Sequence, residues 1–179
     1  MHQDTAFVRV SRPMEMAASW LAMEDIEEGS GELTYYVGSH RVREHLFNGK
    51  DKWMPHNDYE AYLAFIKYLD EECRARGFKK ETFRPKKGDV LIWSADLVHG
   101  GSAIARPELT RRSFVAHWCP VSAEPSYFAY GKNSGRIKMN DTLSYSYNYY
   151  GPAMAPENLP PELYQKRGLW DRLRTGLGL

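Results

Sequence analysis

The chain has 179 residues, 42% hydrophobic and 26% charged, enough for one globular domain with a sizeable buried core. Its 24 basic and 23 acidic side chains leave a formal net charge of +1, which argues against nucleic acid or an anionic membrane surface as the main partner. No apolar run is long enough to span a bilayer and no signal-peptide core opens the sequence, so a soluble, cytoplasmic protein is expected. Cys73 and Cys119 lack CxxC spacing and read as reduced thiols, not as a disulfide scaffold or a zinc knuckle. Aromatic residues reach 13%, with 12 Tyr and 5 Trp, which fits a β-rich fold with a lined cavity.

In chain order, residues 1–26 read as strand, closed by an acidic turn and Gly29-Ser30-Gly31. Leu33 to Val37 give a second strand, Gly38-Ser39-His40 a turn, and residues 41–57 a polar excursion over the surface. Asn57, with Glu60 in the following turn, predicts a capped helix start. Tyr59, Tyr62, Leu63, Ile66, Leu69 and Cys73 form its apolar stripe, and Gly77 ends it. A turn over Phe83 to Asp89 precedes the short buried strand Val90-Leu91-Ile92-Trp93, and Arg111 to Trp118 give another strand. Residues 126–151, rich in Tyr, Ser, Asn and Gly, show no period, and residues 161–174 predict a short terminal helix. Without repeats or linkers the whole chain, 1–179, reads as one domain: a core over 1–120 and a C-terminal extension over 121–179.

His2-Gln3-Asp4 puts two metal-capable side chains two residues apart, and on an extended backbone such residues project to one face. His99, at the end of a buried strand, is the candidate third ligand. Two imidazoles and one carboxylate on one face suit an iron(II) that keeps positions open for a cosubstrate and dioxygen. Arg111 lies twelve residues beyond His99, where an antiparallel return brings its guanidinium back beside the metal. A planar fork of donors there matches the carboxylate of a 2-oxo acid. The remaining histidines read as structural: His40 in its turn, His117 in the core or hydrogen-bonded, His45 and His56 on the surface. The Lys79-Lys80 and Lys86-Lys87 pairs read as solvated turns, and Tyr145 to Tyr150 as a packing tail.

These residues, together with Trp20-Leu21-Ala22-Met23-Glu24-Asp25, Gly38-Ser39-His40, Gly88 to Trp93, His99-Gly100-Gly101-Ser102 and Thr110-Arg111-Arg112-Ser113, match in order and spacing a known pattern over residues 1–120. The sequence resembles the phytanoyl-CoA dioxygenase family of iron(II)/2-oxoglutarate oxygenases. The resemblance implies a mainly β fold with peripheral helices, a double-stranded β-helix of jelly-roll, cupin-like type. It implies His2, Asp4 and His99 as metal ligands and Arg111, in preference to Arg112, as partner of the distal 2-oxoglutarate carboxylate. It also implies Trp20 as a wall of the cosubstrate pocket and Ser102 as a hydroxyl contact. In the family a region of helices and strands precedes the HxD motif, whereas here the motif starts at the second residue. The barrel is therefore expected to be N-terminally incomplete, with a poorly preorganised ligand at position 2 and an edge for a partner chain or a second copy to cover.

The implied reaction is hydroxylation of a small organic substrate by iron(II), 2-oxoglutarate and dioxygen, releasing succinate and CO2, with ascorbate as a reductant. Relatives that halogenate lack the carboxylate that Asp4 supplies. Two other readings stand beside it. One is a truncated, non-catalytic metal-binding barrel or interaction module; the other is a cupin-like metal protein with no oxo-acid cosubstrate. Arg111 counts against the latter, because an inward guanidinium without a carboxylate is a costly orphan.

Overall fold

Alternating burial along Ala17–Ala22 (β1), with Ala18, Trp20 and Ala22 turned inward, gives the molecule its first sheet. The computed structural model describes residues 1–8, 15–55, 58–123, 137–138 and 144–145. The further strands are Leu33–Tyr36 (β2), Lys80–Phe83 (β3), Val90–Ser94 (β4), His99–Gly101 (β5) and Ser113–Trp118 (β6). A two-residue pair, Ile137–Lys138 (β7) with Ser144–Tyr145 (β8), follows. Two antiparallel sheets result, ordered β4-β1-β6 and β3-β2-β5.

Ala18, Trp20, Ala22 and Trp93 of the first sheet share one apolar cluster with Ile26, with Leu33 of the second and with the half-buried Phe83. The two sheets thus pack as layers of one sandwich, the jelly-roll arrangement that the resemblance implied. β3 corrects the reading of Lys79-Lys80 as a turn. Lys80 starts a strand, with its ammonium 5.7 Å from the centre of the Tyr36 ring, and Lys79 pairs with Glu81.

The helix Tyr59–Ala75 (α1) covers the second sheet. Asp58, whose carboxylate accepts from the Ala61 N–H at 2.9 Å, caps it; the expected cap, Asn57, lies outside the described residues. Its buried stripe is Phe65, Leu69 and Cys73, while Tyr59 and Leu63, expected inside, are exposed. The sequence is apolar over most of this helix, so its phase is set by Phe65 meeting Tyr36, Phe47 and Val98. Tyr36 also donates to Asp70 at 2.7 Å, tying β2 to the helix. His45 is no surface residue: its ring packs among Phe47, Phe65 and Tyr68, with centroids 4.7 to 5.2 Å away, and burial lowers its pKa. Burial likewise pushes the Cys73 thiol up to about 11, and both cysteines are free.

The first residues are not a long strand. Gln3 is extended, and a 3-10 turn, Asp4–Ala6, follows at once. Nor is this segment loose, as expected of a chain end. His2 and His99 exchange backbone hydrogen bonds at 2.7 and 2.9 Å, and the Asp4 N–H donates to the Ala95 carbonyl at 2.9 Å. Gln3 Nε2 donates to the Asp96 carbonyl at 2.7 Å, and the Thr5 hydroxyl to the Asp96 carboxylate at 2.6 Å. Gly100 makes room for this contact: a Cβ there would sit 3.3 Å from Met1 Cα.

The strand Val90–Ser94 is buried on one face only. Val90 and Ile92, with Phe114 and Trp118 of β6, stand exposed on the outer face of the first sheet. Among the described residues no helix is long and apolar enough to cross a membrane. The expected helix over 161–174 and the Tyr-rich stretch beyond Tyr145 lie outside the described residues.

Removing the Thr5 hydroxyl tests the N-terminal anchorage. Thr5→Val deletes a buried hydrogen bond to a carboxylate and is expected to cost about 1.5–3 kcal/mol. Urea unfolding with an unchanged midpoint would show that the segment is held without it.

Candidate metal centre

Because Gln3 is extended (φ −117°, ψ 134°), the flanking His2 and Asp4 side chains project to one side. The backbone bridge between His2 and His99 then brings the third residue alongside. One ligand atom each from His2, Asp4 and His99 lies within 4.8 Å of the others. Asp4 Oδ1 is 3.5 Å from Nε2 of His2 and 3.5 Å from Nε2 of His99. Imidazole and carboxylate donors about 2.1 Å from one ion, at right angles, stand about 3 Å apart, so the spacing suits a shared metal.

The donor atoms are also in the right chemical state. His99 Nδ1 contacts the Leu97 carbonyl at 2.9 Å, which puts the ring proton on Nδ1 and turns the Nε2 lone pair toward Asp4. Burial lowers the His99 pKa, so the imidazole is neutral, as a ligand must be. Burial alone would raise the Asp4 carboxyl, but hydrogen bonding from His117 and His2 and the fields of His99 and His117 outweigh it. The group is held well below the usual carboxylate range, as an anion. Its other oxygen, Oδ2, accepts from Trp93 Nε1 at 3.2 Å and lies 3.4 Å from His117 Nε2.

Arg111 lies just before β6, outside the strand expected for it, and is largely exposed. Its Nη1 donates to the Gly31 carbonyl at 2.8 Å, which leaves further N–H donors of the fork for a carboxylate. Gly31 must be glycine, since its φ is +87° and a Cβ would meet Ile104 at 3.0 Å. Arg112 faces the other way: its guanidinium is 3.8 Å from Glu24, whose carboxylate also accepts the Arg112 N–H. Trp20 is buried between the sheets, edge-on to Phe83 at 5.9 Å, a wall and not an open face. The Ser102 hydroxyl donates its proton to Glu32 at 2.5 Å.

His117 enters the site unforeseen as a neighbour of Asp4. The signal for it is strand alternation: within β6, Ser113, Val115 and His117 share the inner face. Trp93 was noticed only as a core residue. Glu32, buried behind Ser102, carried no motif at all.

A profile of the phytanoyl-CoA dioxygenase (PhyH) family matches residues 1–113. The chain belongs to the phytanoyl-CoA dioxygenase family. Within it the HxD pair, the distal histidine and Arg111 all fall inside the matched span. No curated protein matches the sequence. Similar solved structures include a non-heme α-ketoglutarate-dependent carbocyclase, SnoK, from nogalamycin biosynthesis: 20% identity, TM-score 0.42, covering 65% of this chain and 39% of that one. The α-ketoglutarate-dependent epimerase SnoN from the same biosynthesis matches at 21% identity and TM-score 0.44, over 66% of this chain and 39% of that one. AviO1 from Streptomyces viridochromogenes matches at 18% and 0.40, over 65% and 43%. The match therefore spans about two fifths of the length of these three chains.

Glu32 gives the region a pH signature. Chiefly through the Ser102 hydroxyl, its pKa falls from 4.5 to about 2, so it stabilises the fold fully above about pH 4.5. That contribution is lost as pH falls from 4.5 toward 2. Glu32→Gln is expected to lower stability at pH 7 and to flatten the acid-unfolding curve over that window. A variant curve parallel to the wild type would contradict this.

Proposed function

We propose that the chain is, or is part of, an iron(II)- and 2-oxoglutarate-dependent dioxygenase that hydroxylates a small organic substrate. The observation that carries this reading is the convergence of His2, Asp4 and His99 on one point, with Asp4 Oδ1 3.5 Å from both imidazole Nε2 atoms. Family membership supports the same class.

Bound iron(II) would supply the oxidising chemistry, in which one oxygen atom of O2 would enter the substrate C–H bond and the other the new carboxylate of succinate as 2-oxoglutarate loses CO2. The chain's own residues set the geometry. His2, Asp4 and His99 would hold the ion, with coordination positions left for cosubstrate and dioxygen. Arg111 anchors the far carboxylate, held in place by the Gly31 carbonyl. Trp20 closes the wall behind, whereas the Ser102 hydroxyl, expected to contact the cosubstrate, is instead committed to Glu32. Val115 and His117, inward yet partly open to solvent, line the mouth. Asp4 favours hydroxylation over halogenation, since its carboxylate fills the coordination position that a halide would need. Chlorinated product with Asp4 intact would overturn that choice.

The direct test is anaerobic titration with iron(II) and 2-oxoglutarate, followed by the weak visible metal-to-ligand charge-transfer band. Wild type is expected to give the band and His99→Ala to lose it. Iron binding without the band and without succinate release would instead identify a non-catalytic metal-binding barrel. Arg111→Met should keep the metal and raise the 2-oxoglutarate concentration needed for half the band by roughly ten- to a hundredfold. An unchanged titration would remove Arg111 from the pocket.

A further inference from the structure

Asp4 is gripped asymmetrically. Oδ1 faces the two imidazoles of His2 and His99, whereas Oδ2 faces Trp93 Nε1 at 3.2 Å and His117 Nε2 at 3.4 Å. Trp93 and His117 come from different strands, β4 and β6, on either side of β1. In register both stand opposite Ala18, on one row of the sheet. Ala18 is fully buried, and its methyl leaves the space above the row to the two larger rings. Both rings converge there on the same carboxylate oxygen.

We infer that Trp93 and His117 are positioning residues that hold Asp4 by Oδ2 and so present Oδ1 alone to the metal. The inference rests on the metal-centre reading above. An indole N–H is a donor only, and an imidazole whose Nε2–H points at Oδ2 has no lone pair left there for the ion. In this role His117 would differ in kind from His2 and His99, although it lies as near to Asp4. With both donors in place Oδ2 is engaged, and the carboxylate cannot turn to grip the ion through two oxygens. The coordination position saved in this way is one that the cosubstrate needs. The arrangement also explains an exposed feature: His117 is one-third open at the mouth while its Nε2 end is directed inward.

Anaerobic cobalt(II) titration with visible absorption tests this without turnover, since band position and intensity report coordination number. Thermal melts of each variant establish that it is folded. Wild type is expected to bind cobalt(II), and His99→Ala to lose it. His117→Phe, which keeps a ring but no donor, is expected to bind cobalt(II) about ten- to a hundredfold more weakly. Its bands should shift toward a higher coordination number. His117→Gln, whose amide N–H reaches toward Oδ2, is expected to restore most of the affinity and the wild-type spectrum. Trp93→Phe should move affinity and spectrum in the same direction as His117→Phe. Wild-type affinity and spectrum in His117→Phe would overturn the inference and leave the metal centre standing. Loss of cobalt(II) in His117→Gln to the extent seen in His99→Ala would overturn it too, by making His117 a ligand. If wild type bound no cobalt(II), the metal-centre reading itself would fail, and this inference with it.

Discussion

A carboxylate withdrawn from water must find a donor for each oxygen, and the middle of this molecule is organised around that need at Asp4. The side chain is buried, yet it is held as an anion, because three imidazoles and one indole surround it. Those partners come from four places in the chain: the N-terminal segment, β4, β5 and β6. A buried charge with this many partners is costly to disturb, since removing any one leaves the remainder poorly compensated. The site and the sheet packing are therefore hard to alter separately.

The sheets serve the carboxylate through register. β1 lies between β4 and β6, and its small residue Ala18 is the point at which Trp93 and His117 face each other across the strand. Trp20, two residues on, widens into the apolar layer between the sheets. One strand thus changes from site floor to core within two positions. The second sheet contributes His99 at its edge and Glu32 just before β2, whose bond to Ser102 fixes the glycine-rich stretch after His99.

Much of the site was legible because it depends on short spacing. His2 and Asp4 needed only an extended residue between them, and Gln3 provides it. Arg111 is separable from Arg112 in the sequence only by resemblance; in the structure Arg112 is tied to Glu24, whereas Arg111 Nη1 reaches the Gly31 carbonyl. What escaped the sequence reading depends on long-range partners. Val90 to Trp93 read as a buried strand by composition, but only Trp93 is buried, because half of that sheet face looks outward. Lys79-Lys80 read as a solvated turn because the two charges hid the pairing of Lys80 to Phe83 with β2. The helix stripe was legible at Leu69 and Cys73 but not in its first half, where several apolar candidates compete and the choice falls to Phe65 through partners far away in sequence. The order of the first residues was invisible for the same reason: their anchoring bonds are to residues far away in sequence, Ala95, Asp96 and His99, together with Met54 and Trp93.

That anchorage has a kinetic side. Two of the three candidate donors ride on a segment fastened by a small set of hydrogen bonds, whereas the third sits on a strand paired in the second sheet. Proteins open locally at free energies well below that of global unfolding, most easily where few bonds hold a segment. Opening of residues 1–6 away from the chain near Asp96 would take His2 and Asp4 away together and leave His99 behind. The residence time of an ion would then follow the opening rate of this one segment, and the melting temperature of the sandwich would be a poor guide to it. Hydrogen exchange at the His2 and Asp4 amides is the clock for that opening.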